Sequence, residues 1–389
     1  MRLVCSSVDY RVRHGVLHAH SHGISLAVAG CGSFVPMSNA SNFAVRPLEP
    51  SAPVHAGTAA SPVPPFPRIV ALGGGTGLPV VLRGLADALQ SAAGECDVMR
   101  WADSLAAIVT VTDDGGSSGR LRRDLGVLPP GDIRNCLAAL SADTALSRLL
   151  AHRFDAPTDL DGHAVGNLML AAWMQMTGSF AAAIDEMATL LKARGRVYPS
   201  TIQDVTLRAE LATGDLIDGE TAIVAHPAQI RRMALARAVR PWPDALRALI
   251  NADAVVVGPG SLYTSVLPNL LVDGVASTLS AVRGARIVVT NLMTQPGETD
   301  GLSLDDHLRV LREHTGRDLF DYVLVNRTQP TAAQLARYRS EGAELIRCDG
   351  NLPAAGGAEL VEADLLDTSS DHVRHDSDKL AAVILELAP

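Results

Sequence analysis

Charge is scarce in this chain. Only 19% of its 389 residues are charged, and just two lysines occur, Lys192 and Lys379. Arginine therefore carries nearly all the positive charge, which reflects codon usage rather than a function. The net charge of −9 leaves no basic face of the kind that non-specific nucleic-acid binding needs, so no nucleic-acid partner is expected. The cysteines Cys5, Cys31, Cys96, Cys136 and Cys348 form no CxxC pair. That excludes the common zinc pattern and a disulfide framework, and it suits a reducing compartment. No stretch reaches the ~20 apolar residues of a membrane span. The G-x-x-x-x-G-K-[ST] of a nucleotide triphosphatase and the G-x-S-x-G elbow of a serine hydrolase are missing too.

What is present is organised around residues 69 to 123. The apolar run Ile69-Val70-Ala71-Leu72 enters Gly73-Gly74-Gly75-Thr76-Gly77. The run Ala106 to Thr112 enters Asp113-Asp114-Gly115-Gly116-Ser117-Ser118-Gly119-Arg120. Two buried strands at this spacing are expected to lie side by side, with their carboxyl ends opening on one crevice. The first turn is read as a phosphate cradle leading into a helix with Pro79 in its first turn, where backbone N–H groups attract anions. In the second, Asp113 and Asp114 are candidates for Mg²⁺ or a ribose hydroxyl. Arg120, Arg122 and Arg123 are candidates for a phosphate clamp.

The rest of the chain reads in the same rhythm. Residues 1 to 66, rich in Ser, His, Pro and Ala, are expected to be disordered or an over-long start. Their Val28-Ala29-Gly30-Cys31 is too weak a lipoprotein box to work as a signal, and their histidines belong to a floppy polar segment. Residues 67 to 389 are expected to form one domain. Asp132 reads as the N-cap of a helix running to about Leu150, with Arg134 and Asn135 in its first turn facing an anion. His163 and Asn167 open another helix and are ligand candidates. An amphipathic helix is expected from Ser179 to Arg194, closed by Gly195. Between 201 and 239 the period changes to that of a small antiparallel excursion, with strands at Val205–Leu211 and Glu220–Val224. A third glycine turn, Gly258-Pro259-Gly260-Ser261, follows the strand Ala254-Val255-Val256-Val257 and offers Gly258, Gly260, Ser261 and Thr264 as ligand groups. Ser261 is read as an N-cap or phosphate ligand. Asn291 ends the next strand. Asp305-Asp306-His307 looks like a metal cluster, but Ser303 with Asp306 makes a capping box, which is the preferred reading. Strands at Tyr322–Asn326 and Glu344–Arg347 and a helix near Lys379 to Leu387 complete an α/β, doubly wound, mostly parallel sheet. Apolar turns near Tyr263 and Met293 would suit a homodimer face.

Taken together, Gly73–Gly77, Thr112–Arg120, Pro130–Asn135, Gly162-His163 with Gly166-Asn167, Gly258–Ser265 and Asn291–Thr299 resemble the bacterial gluconeogenesis factor family. That family is a branch of the 2-phospho-L-lactate transferase superfamily. The likeness covers about residues 68 to 327, and six ordered motifs make it specific. It implies a Rossmann-like fold, a cytosolic protein and a nucleotide-linked ligand, with UDP-sugars the best candidates. It also implies a role in cell shape and wall synthesis during growth on gluconeogenic carbon, with wall-synthesis proteins as partners and no tightly bound organic cofactor. The transferase branch instead moves a phospholactyl group from a guanosine diphosphate donor to a deazaflavin precursor, using Mg²⁺. The first glycine loop, Asp113 and Asp114 carry over best, the two aspartates being catalytic and metal-binding only if the chain is a transferase. The second loop and the sequence after the Gly-Pro strand end depart from the transferase branch. Three readings stay open: a UDP-sugar-binding regulator, a Mg²⁺-dependent transferase, and a scaffold with a vestigial pocket.

Overall fold

The computed structural model describes residues 11–13, 16–18, 66–93, 102–155, 157–226, 228–348 and 352–388. The chain divides into two units, Met1–Ala60 and Ser61–Pro389. In the first, β1 (Arg11–Arg13) and β2 (Val16–His18) pair antiparallel. Apart from Phe66, the rest of the 1–66 extension, with its lipoprotein-like box and most of its histidines, lies outside the described residues.

The second unit is built on β3 (Ile69–Gly73), β4 (Leu105–Val109) and β5 (Arg196–Pro199). An antiparallel excursion follows, made of β6 (Leu207–Leu211), β7 (Leu216–Asp218) and β8 (Ile230–Leu235). The chain then returns to the main sheet with β9 (Ala254–Val257), β10 (Ala285–Val289), β11 (Tyr322–Asn326) and β12 (Glu359–Ala363). The seven main strands are all parallel, in the order β12-β11-β10-β9-β3-β4-β5. The chain thus winds outward from β3 to one edge and then from β9 to the other. The winding reverses between β3 and β9, and the C-terminal helix Ser377–Leu387 packs back on the helix Leu78–Ala93 that follows β3.

The central strands form because both their faces are covered. Every residue of β3, β4 and β9 is buried, so the runs Ile-Val-Ala-Leu-Gly, Leu-Ala-Ala-Ile-Val and Ala-Val-Val-Val carry no polar alternation. The helix Leu78–Ala93 covers β3 with Leu78, Val81, Leu82, Leu85 and Leu89, a 3.6-residue stripe of fully buried side chains. At the other end of the strands, the Arg68 guanidinium clasps Asp253 with contacts of 2.9 and 3.0 Å, tying the starts of β3 and β9 together.

Several expectations are corrected. The helix from Asp132 to Leu150 is two helices, Gly131–Leu140 and Thr144–Ala151. Asp143 caps the second by accepting from the Ala145 and Leu146 amides. Asp132 is not a cap, because the helix starts one residue earlier, after Pro130. The amphipathic helix spans Phe180–Leu190, and Lys192 rather than Gly195 takes the positive φ at its end. Residues Glu220–Val224 form a short helix, not a strand, because β7 has already ended at Asp218. Glu344–Arg347 is no strand of the sheet; Leu345 makes an isolated bridge to Met293, and the edge position is taken by β12. Tyr263 and Met293 are 4% and 7% exposed, so neither offers a dimer face.

The capping box of the helix Leu304–Thr315 is present in full. Ser303 Oγ accepts from the Asp306 amide at 3.2 Å, and Asp306 accepts from the Ser303 amide at 2.9 Å. The Asp305-Asp306-His307 triplet is therefore a helix start. Ser303→Ala is expected to lower unfolding stability by about 1 kcal/mol, read as a shifted urea midpoint with an unchanged slope.

Candidate functional site

The β3 carboxyl end turns through Gly74, Gly75 and Thr76 into the helix Leu78–Ala93. Gly75 has φ +61°, a conformation that favours glycine. Gly77 faces the β9 turn so closely that a Cβ there would lie 2.3 Å from the Pro259 carbonyl oxygen. The β3 and β9 turns thus meet across the switch point. Asn269, fully buried, supports the loop from below by donating to the Gly73 carbonyl at 2.9 Å.

The β9 turn is held by Asn291, at the end of β10. Asn291 Oδ1 accepts from the Gly260 amide at 2.9 Å, and Nδ2 donates to the Gly260 carbonyl at 2.8 Å. The Ser261 hydroxyl lies 2.9 Å from Glu298 and 3.0 Å from Gln295, and it makes no side-chain cap. Thr264 also hydrogen-bonds Glu298. Ser261 and Thr264 are thus committed to the half-buried Glu298 carboxylate, which desolvation pushes above its ordinary pKa despite these bonds.

The third wall comes from β4. Asp113 Oδ1 accepts from the Gly115 amide at 2.8 Å, closing the turn before the helix Gly116–Leu125. Asp114 Oδ1 accepts from the Thr221 amide at 2.9 Å and hydroxyl at 2.7 Å, which pins the excursion to the crevice. Ser118 accepts from the Gly131 amide at 3.1 Å. Ser117 Oγ lies 2.9 Å from His163 Nδ1 and accepts from Asn167 at 3.0 Å, and Asn167 accepts from Arg134 Nε at 3.1 Å. Asn135 reaches the Gly75 carbonyl at 3.5 Å. Burial, then Arg120 and Arg153, lower the His163 pKa, so the ring stays neutral at pH 7.

The sequence-predicted residues therefore fall into one crevice: Gly73–Gly77, Asp113–Ser118, Arg134, Asn135, His163, Asn167, Gly258–Ser261, Thr264 and Asn291. Two arginines of the expected clamp bond to the protein itself. Arg122 pairs with Asp204 at 2.6 Å and donates to the Val205 carbonyl, and Arg120 donates to the Asp161 carbonyl.

Two carboxylates escaped the sequence reading. Asp132 hydrogen-bonds the Gly75 backbone, and its oxygen lies 2.6 Å from where a Gly74 Cβ would sit. Burial, opposed by that bond and reinforced by Asp113, pushes its pKa to about 6. Glu220 enters from the excursion; burial, then Asp113, Asp132, Glu298 and Asp114, push it to about 9. The lone signal for Asp132 was its place beside Arg134. For Glu220 there was none, because nothing local ties residue 220 to residue 113.

The crevice also holds a buried cation. Arg134 is 6% exposed and makes no ion pair among the described residues. Burial is the main cause lowering its pKa, followed by Arg153, while Asp132 opposes it. A buried charge without a carboxylate partner is costly, and a bound anion relieves that cost.

The family model described as 2-phospho-L-lactate transferase CofD matches residues 69–366. A gluconeogenesis factor of Listeria innocua is 40% identical over 332 residues, covering 83% of this chain and 96% of that one. A gluconeogenesis factor of Bacillus subtilis is 39% identical over 323 residues, 82% of this chain and 98% of that one. A crystal structure of a UPF0052 family member from Bacillus halodurans superposes with a TM-score of 0.75 at 39% identity, covering 82% of this chain and 99% of that chain. With the sheet order, the six motifs and these relatives in agreement, the chain belongs to the gluconeogenesis factor branch of the 2-phospho-L-lactate transferase (CofD) family.

Proposed function

We propose that this chain is a regulator that binds a UDP-sugar in the switch-point crevice and links carbon supply to wall synthesis and cell shape in the cytoplasm. The observation that carries the reading is Arg134, a buried guanidinium with no ion pair among the described residues, on the helix whose Asp132 and Asn135 touch the Gly75 turn. A diphosphate is the dianionic group that such a place accommodates. The serine–base contacts of the crevice are engaged within the fold: Ser261 faces Glu298, and Ser117, 2.9 Å from His163 Nδ1, also accepts from Asn167. Binding is thus a simpler use of the crevice than turnover.

The carboxylates favour a second reading, a Mg²⁺-dependent transferase. Among the described residues no three His, Cys, Asp or Glu side chains form a metal cage. Asp114 is tied to Thr221. Asp113 keeps one oxygen without a backbone bond, and Mg²⁺ is commonly held by one or two carboxylates plus ligand phosphates. Asp113, with Asp114 beside it, would hold the ion, which would screen the phosphate charge, while Arg134 would stabilise charge developing on the transferred group.

Calorimetric titration with UDP-N-acetylglucosamine, UDP-glucose and GDP, with and without Mg²⁺, separates the two. The regulator reading expects UDP-sugar binding without metal and a gain of ~2.7 kcal/mol in stability at one hundred times Kd. Binding confined to GDP with Mg²⁺ would overturn it in favour of the transferase. Arg134→Gln is expected to weaken UDP-sugar binding roughly ten- to one-hundred-fold, the value of a charge-assisted bond. Unchanged affinity would remove Arg134 from the site.

A further inference from the structure

The antiparallel excursion leaves the main sheet after β5 and returns before β9, and one part of it lies over the crevice. The short helix Glu220–Val224 meets the β4 turn at its start and the β10 loop at its end. At the start, the Thr221 amide and hydroxyl donate to Asp114 at 2.9 and 2.7 Å, and a Cβ on Gly219 would lie 2.5 Å from the other Asp114 oxygen. At the end, a Cβ on Gly297 would lie 2.8 Å from the Val224 carbonyl oxygen. A glycine thus permits the close approach at either contact. In the sheet, β3 and β9 stand between β4 and β10, so a segment that joins the outer pair crosses above the two glycine turns. The surroundings of Glu220 agree. Asp132, which bonds the Gly75 turn, and Glu298, which bonds Ser261, are both near enough to raise its pKa.

The hold on this helix is slight. Ile223 is the one buried side chain of its five residues, while Thr221, Ala222 and Val224 are exposed. The sheet from which it springs is anchored independently. Arg122 donates to the Val205 carbonyl at 2.9 Å and pairs with Asp204 at 2.6 Å, and the Met233 amide donates to His314 Nε2 at 2.8 Å. Strands β6 and β8 also bury Leu207, Ala209, Leu211 and Met233. Segments with few buried apolar contacts and exposed hydrogen bonds open more readily than the elements around them. Gly219, at φ +97°, gives the chain a pivot between β7 and the helix. Releasing the bonds to Asp114 and the Ile223 side chain uncovers the glycine turns while β6 and β8 stay docked.

We propose that Glu220–Val224 is a strap across the switch-point crevice, opening about Gly219 to pass a ligand and closing through Thr221 on Asp114 and Val224 on Gly297. The identity of that ligand rests on the UDP-sugar reading above; the strap itself rests on these contacts.

Hydrogen exchange of the full chain tests the opening without any ligand. The Thr221, Ile223 and Ala225 amides donate to Asp114, Gly219 and Thr221. They are expected to exchange at least ~100-fold faster than the paired amides of β6. Thr221→Val is expected to speed them about ten-fold further and to leave β6 unchanged. Exchange of both sets at one rate would mean that the excursion opens only as a whole, and would overturn the proposal. A second experiment locks the strap. A Cβ on Gly115 would lie 3.4 Å from Thr221 Oγ1, so the Gly115→Cys/Thr221→Cys variant can be joined by a disulfide. Stopped-flow mixing with UDP-N-acetylglucosamine is compared before and after reduction with dithiothreitol. In the oxidised form, association and dissociation are both expected to slow by ~100-fold or more, as for a shut lid, and reduction is expected to restore each. Equal rates in the two forms would overturn the strap while the UDP-sugar reading stands. If the wild type binds no UDP-sugar, that reading falls, and the strap stands or falls on hydrogen exchange.

Discussion

Replacing Gly77 by alanine is expected to weaken UDP-sugar binding by about ten- to one-hundred-fold. The added methyl would lie 2.3 Å from the Pro259 carbonyl oxygen and 2.8 Å from its carbon, both backbone atoms that no rotamer change can move. The two turns must separate, or the helix Leu78–Ala93 must shift on β3. Overpacking of this kind costs roughly 1–3 kcal/mol. Because the clash lies between the two loops that would hold the diphosphate, it falls on binding as well as on stability. Gly126→Ala is the control. Gly126 has φ +65° and nothing within 4 Å of a Cβ, at the end of the helix Gly116–Leu125. It is expected to cost about 1 kcal/mol of stability and nothing in affinity. Equal affinity losses in the two variants would mean that the β3–β9 contact is not part of the ligand site.

Glu220→Gln is expected to stabilise the protein at alkaline pH and to do nothing near pH 5. The Glu220 pKa is raised from 4.5 to about 9 in the folded chain, chiefly by burial and then by Asp113 and Asp132. Between those values the folded state binds more protons than the unfolded state, so stability falls as pH rises. The penalty is absent below pH 4.5, grows through neutrality and is complete above pH 9. Glutamine keeps the shape of the neutral acid and cannot ionise. At pH 8 the variant is expected to gain about 2–4 kcal/mol, taking 1.36 kcal/mol per pKa unit as an upper limit. That corresponds to a melting temperature higher by roughly 5–10 °C. Asp132, its pKa raised from 3.8 to about 6, adds a decline of the same sense that is complete before the alkaline range. His375 works in the opposite direction. Burial lowers its pKa to about 4, so it destabilises the fold as pH drops below the ordinary histidine range. Melting curves of wild type and Glu220→Gln from pH 5 to 9 give the answer. Parallel curves, or a variant less stable throughout, would show that Glu220 is ionised in the folded chain.

Glu220 also shows where the sequence ceased to be legible. The frame was readable because β3, β4 and β9 are buried on both faces, and such strands must be continuous apolar runs. The glycine turns were readable because they follow those runs directly. The edges were not. The last strand, Glu-Leu-Val-Glu-Ala, has no buried residue and so no hydrophobic signature. The alternating Glu344–Arg347 imitated a strand better than the true one did. Glu220 sat in an apparent β pattern, Glu-Thr-Ala-Ile-Val, but Gly219 at φ +97° and the Asp114–Thr221 bonds turn it into a helix start. That contact spans 107 residues, and periodicity reports only local neighbours. The same holds for Arg122, whose partner Asp204 lies in the excursion, and for the contact of Val224 with Gly297.

The most direct test of the account is the position of the diphosphate in crystals of this protein grown with UDP-N-acetylglucosamine. The account places its oxygens within hydrogen-bond distance of the Gly75–Gly77 backbone amides, on the Arg134 side of the Gly77–Pro259 contact. A ligand bound elsewhere on the sheet, with the glycine turns and Arg134 facing only solvent, would contradict it.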